Sequence, residues 1–156
     1  MTFELEPFIE EGGVFVDVDG NTVEEVYTSV CSLLKLPKSF TKEELLEELL
    51  AREKILSTAV GNGVAIPHPR KPILQKEEEQ LLAVCFLKKP LEMNAPDGKP
   101  VSVLFVLLSK SNQLHLQVLS SLAHLLHDDS FKKILETRPS KEELFAAIKT
   151  VALKRK

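Results

Sequence analysis

The chain is 156 residues long, 44% hydrophobic and 28% charged, with a formal net charge of −3, which suits one globular domain with a single core over residues 1–156. Its basic residues are scattered rather than gathered on one face, which argues against nucleic acid or an anionic membrane surface as a partner. No apolar run approaches the ~20 residues that span a bilayer, and Met1 to Pro7 lacks the basic and apolar regions of a signal peptide, so a soluble, cytoplasmic protein without membrane insertion is expected.

In chain order, Val14-Phe-Val-Asp-Val18 closed by Asp19-Gly20-Asn21 reads as a strand and turn. Thr22 with Glu25 forms a capping box that opens a helix with Val23, Val26, Tyr27, Val30, Leu33 and Leu34 at helical spacing, and Pro37 ends the run. A second capping box, Thr41 with Glu44, starts a helix whose apolar stripe is Leu45, Leu46, Leu49 and Leu50. Arg52 falls along that stripe, as a cation snorkelling at the helix C-terminus or as a guanidinium turned inward toward an anion.

Ser57 to Arg70 holds a Gly61-Asn62-Gly63 turn, a short apolar run of buried-strand type, and His68 between Pro67 and Pro69. The two prolines stiffen the backbone on either side of the imidazole at a strand end. Lys71 to Gln80, with Glu77-Glu78-Glu79, reads as a solvated loop or helix start. Leu81–Leu87 and Val101–Leu108 are near-continuous apolar strands, covered on both faces by helices, and Ala95–Pro100 is a turn-rich connection between them.

Ser111 or Asn112 caps the next helix, with Val118, Leu119, Leu122 and Leu126 on its buried side and His115 in its first turn on that same side. His124 and His127 are expected to face outward. A short helix over Phe131 to Glu136 follows, and Ser140 with Glu143 opens the last helix, whose Lys154-Arg155-Lys156 tail is expected to fray. The sum is an α/β fold with a mixed β-sheet sandwiched between helices. Cys31 and Cys85 read as reduced core residues.

Periodicity turns inward two histidines and one arginine, His68, His115 and Arg52. His68 and His115 lack the neighbouring third ligand of a zinc site. No nucleophile with an orienting acid is visible, nor a Gly-rich loop ending in Gly-Lys-Ser/Thr. A two-histidine hydrolase would need a carboxylate in a recognisable motif. Two imidazoles and a guanidinium fork instead suit an anion such as phosphate.

Arg52-Glu-Lys, Gly61-Asn-Gly-Val-Ala-Ile-Pro-His68, Ala95-Pro-Asp-Gly-Lys-Pro-Val101 and His115-Leu with its apolar helix occur in that order. They resemble the enzyme IIA domain of the bacterial phosphoenolpyruvate-dependent phosphotransferase system, fructose/mannitol and nitrogen-regulatory class, over nearly the whole chain. The resemblance implies that His68 is the phosphorylated histidine of a phosphocarrier, His115 the second active-site histidine and Arg52 the arginine beside the phosphate. It implies HPr or its nitrogen-type counterpart as donor, and either a IIB domain in sugar uptake or a regulatory target protein as partner. It calls for no metal or other cofactor. Pro69 stands where that family usually has glycine, removing one backbone N–H near the phosphate, while Arg70 keeps the charge of a common lysine.

Overall fold

The structure is a computed structural model that describes residues 3–71, 73–76 and 79–154. A helix that the sequence pattern did not announce comes first: α1 (Glu6–Gly12) starts with a proline in its first turn and has no side-chain cap. Gly12 lets α1 press onto the sheet, since a Cβ there would lie 2.3 Å from the Leu82 carbonyl oxygen. Only seven residues long, α1 owes its existence to that packing rather than to periodicity.

Five strands then form one sheet, β1 (Val14–Val18), β2 (Ala59–Gly61), β3 (Val64–Ala65), β4 (Leu81–Leu91) and β5 (Val101–Leu108), in the order β1-β4-β5-β3-β2. β4 and β5 pair antiparallel at the centre, while β1 runs parallel to β4 and β3 parallel to β5. The apolar run before His68 is β3, and β2, on the other side of the Gly61-Asn62-Gly63 turn, pairs with it antiparallel as a strand that the pattern did not announce. All three turn residues have positive φ, at 99°, 58° and 77°, a conformation that glycine adopts freely and asparagine tolerates. Asp97 in the β4–β5 connection braces the turn by accepting from the Asn62 N–H at 2.9 Å.

Helices α2 (Val23–Leu33) and α3 (Lys42–Ile55) cover one face of the sheet; α4 (Asn112–Leu126), α5 (Asp129–Glu136) and α6 (Lys141–Lys154), with α1, cover the other. Alternate residues of β4 divide between the two cores, Ala83, Cys85 and Leu87 on the α2–α3 side and Leu82, Val84 and Phe86 on the α4–α6 side, as a strand with period two must. The expected sandwich of a mixed sheet between helices is what forms. Cys31 and Cys85 are buried free thiols, and burial pushes both up to about 12.

The capping boxes at Thr41 and Ser140 close in both directions. At Thr22 the hydroxyl accepts from the Glu25 N–H, but the Glu25 carboxylate reaches one residue further back, to the Asn21 N–H. Ser111, not Asn112, caps α4. Glu77 and Glu78 of the acidic connection, and Arg155 and Lys156 of the basic tail, lie outside the described residues. Among the described residues no helix is long and apolar enough to cross a membrane.

Candidate functional site

His68 leaves β3 on a short segment held at both ends. The Leu107 N–H donates to the Pro67 carbonyl at 2.9 Å, and the Arg70 N–H donates to the Glu48 carbonyl on α3 at 3.2 Å. Between these ties the imidazole is oriented by both ring nitrogens. Nδ1 lies 2.9 Å from the Ile66 carbonyl oxygen, which can only accept, so Nδ1 carries the proton. Nε2 lies 3.1 Å from Arg52 Nε, which can only donate, so Nε2 presents its lone pair.

Arg52 sits in the last turn of α3 and is also anchored through Nη1 to the Leu56 carbonyl at 2.6 Å. Its guanidinium is thus turned toward the histidine rather than snorkelling away from it. His115, one turn into α4, places its ring edge-on to His68, with centroids 4.5 Å apart and planes at 60°. Three side chains from α3, the β3 exit and α4 therefore meet at one place. Burial pushes the pKa of His68 below the ordinary histidine value; the Ile66 carbonyl and the Glu53 carboxylate oppose this, and the Arg52 charge adds to it. Burial likewise lowers His115, helped by the charges of His68 and Arg52. Both rings are accordingly neutral at pH 7.

A cavity of about 160 Å³ opens beside the two rings, lined also by Pro69, Arg70, Lys71, Ser109 and Asn112. At the ~30 Å³ that one water occupies in the liquid, it holds a group the size of a few waters. Its basic lining favours an anion. Among the described residues no cluster of three His, Cys, Asp or Glu side chains is placed to ligate a metal ion.

A family model described as "Phosphoenolpyruvate-dependent sugar phosphotransferase system, EIIA 2" matches residues 7–151. The chain belongs to that family. This enzyme IIA protein is 34% identical over 148 residues to a nitrogen regulatory protein of Pseudomonas aeruginosa, covering 92% of this chain and 94% of that one. It is 30% identical over 129 residues to the PTS system 2-O-alpha-mannosyl-D-glycerate-specific EIIABC component of Escherichia coli, covering 80% of this chain but 19% of that much longer protein. The crystal structure of nitrogen regulatory protein IIA-Ntr from Neisseria meningitidis matches with a TM-score of 0.75 and 34% identity, over 86% of this chain and 92% of that one.

The candidate site holds more inward polar groups than periodicity reveals. Glu48 is 8% exposed and pairs with Arg70 at 3.2 Å, while its second carboxylate oxygen has no partner among the described residues. Glu53 accepts from the buried Tyr27 hydroxyl at 2.5 Å and from Thr58. Only Leu45 and Leu49 of the leucine stripe are fully buried, with Leu46 and Leu50 half-buried. The spacing of Glu48, four residues before Arg52, is the signal that places both on one face of α3. His127 is exposed as expected, whereas His124 is half-buried, in contact with a small apolar recess lined by Phe3, Leu5 and Ile148.

Proposed function

We propose that this enzyme IIA protein is a phosphocarrier that takes a phosphoryl group on His68 Nε2 from the phosphohistidine of HPr or its nitrogen-type counterpart. The observation that carries the reading is the pair of opposed hydrogen bonds on one imidazole, which leaves a lone pair on Nε2 beside a guanidinium and a second ring. In the transfer the Nε2 lone pair attacks phosphorus and the donor's N–P bond breaks, its electron pair returning to the donor imidazole. His68 keeps its Nδ1 proton throughout, and the donor ring, protonated on its other nitrogen, leaves as a neutral imidazole, so no proton passes between the two rings. The demands that remain are alignment and charge compensation. Arg52 turns from the lone pair to the phosphoryl oxygens, and His115, neutral and adjacent, donates to them or steadies them.

Ile55, Leu56 and Leu116 are each about two-thirds exposed, at 68%, 69% and 65%. They flank Arg52 and His115 in sequence, and exposed apolar side chains around a site that transfers a group between proteins suit a docking surface. The group's destination has two readings. A IIB-type acceptor in sugar uptake is one. A regulatory target whose binding follows the phosphorylation of His68 is the other, favoured by the relatives named nitrogen regulatory proteins that match along nearly their full length.

The test is incubation with phosphoenolpyruvate, enzyme I and each type of HPr. Wild type should gain an acid-labile, base-stable phosphate and His68→Ala none, while His115→Ala should accept the group but pass it on poorly. Equal labelling of His68→Ala would refute the assignment.

A further inference from the structure

We propose that Glu53 is a positioning residue for phosphoryl transfer, acting through Thr58 and Ile66 to hold His68 in the tautomer that exposes Nε2. The inference rests on His68 being the acceptor. Glu53 Oε1 accepts from the Tyr27 hydroxyl at 2.5 Å and the Thr58 hydroxyl at 2.8 Å, and Oε2 accepts from the Thr58 N–H at 2.7 Å. The Thr58 carbonyl accepts from the Ile66 N–H at 3.0 Å, and the Ile66 carbonyl accepts from His68 Nδ1–H at 2.9 Å. An unbroken hydrogen-bonded chain therefore runs from a carboxylate on α3 to the far nitrogen of the imidazole.

Its near nitrogen is held from the same helical turn, because Arg52 is the residue before Glu53. The last turn of α3 thus grips both ring nitrogens, one directly and one through the Thr58–Ile66 backbone pair that flanks β2 and β3. Tyr27 is fully buried and Thr58 is 5% exposed, so three strong acceptor contacts converge where water cannot replace them. Burial, reinforced by Glu53, raises the Tyr27 hydroxyl above its ordinary value, which keeps it a proton donor. A bond that only fastened α3 to the segment before β2 would need one such contact; two fix the height of Thr58, and with it the direction of the Ile66 carbonyl, while the third, from Tyr27, holds the carboxylate itself.

Glu53→Gln tests the proposal. The amide keeps the shape but has one acceptor oxygen in place of two and no charge: either its NH2 faces the Thr58 N–H, donor against donor, or it flips and the Tyr27 and Thr58 hydroxyls reverse to accept, and both arrangements lose the charge-assisted contacts. In the unphosphorylated protein, ring 15N shifts should show His68 moving from the Nδ1–H tautomer to a mixture with Nε2–H. Phosphate uptake should fall about 10- to 100-fold in kcat, with KM for the donor carrier little changed, because the docking face is untouched. Should Glu53→Gln not fold, Thr58→Val, which removes one hydroxyl from the same chain, should show the smaller shift in the same direction. Wild-type tautomer populations in a folded variant overturn the proposal. Because that measurement needs no phosphate, it separates this inference from the carrier reading, which fails if wild type itself takes up no label.

Discussion

Arg52 occupies the lone pair that the proposed carrier role requires of His68, so in that reading the resting site is plugged by the group that would then hold the phosphate. Removing the guanidinium while keeping the side chain's length, in Arg52→Met, should then have opposite effects on two reactions. Diethyl pyrocarbonate, a small neutral electrophile, should modify His68 several-fold faster, whereas phosphoryl uptake should slow by about 10²-fold or more, the usual cost of losing one donor to a developing anion. Unchanged carbethoxylation would mean that the Nε2 contact is not formed in solution. His68 and Arg52 stood out in the sequence because each broke a local rule, an imidazole fenced by prolines and a cation on an apolar stripe. Glu48 and Glu53 broke no such rule, since a glutamate on a charged helix is ordinary. Their roles depend on Arg70, Tyr27 and Thr58, which arrive from other elements.

At the scale of elements, three of the six helices among the described residues announce themselves by side-chain caps with a glutamate three residues on, and β4 and β5 by apolar runs. The two elements that escaped the pattern are short. α1 has seven residues and β2 three, too few for a period of 3.6 or 2 to show. Each exists through contact with a neighbour. Gly12→Ala tests this for α1: its Cβ would meet the backbone of Leu82, which cannot swing aside. The substitution should therefore destabilise the fold by about 3 kcal/mol, the upper end for overpacking a core, read as a lower urea midpoint. A cost near zero would show that α1 is not seated on β4.

For the molecule as a whole, the site and the stability are linked through protons. His68 and His115 have pKa values below the ordinary ~6.5 that the unfolded chain shows. The folded state therefore binds fewer protons than the unfolded state just below that value, so this contribution is complete above about pH 6.5 and is lost as pH falls through the lower folded values. The urea midpoint should decline between pH 7.5 and 5.5, before Asp97, Asp128 and Glu143, whose pKa values are held low, begin to protonate. The double variant His68→Ala, His115→Ala should lack most of that decline; an unaltered pH dependence would show that other groups cause it. What the sequence by itself determined was the layered α/β plan, the helix starts and the three candidate side chains, because periodicity, caps and proline act within a few residues of themselves. The tertiary structure alone decided which nitrogen of His68 carries the lone pair, that Glu53 is drawn inward, and that residues 52, 68 and 115 converge. Those outcomes depend on strand order and on hydrogen bonds between segments distant in the chain, for which no local pattern of residues carries a signal.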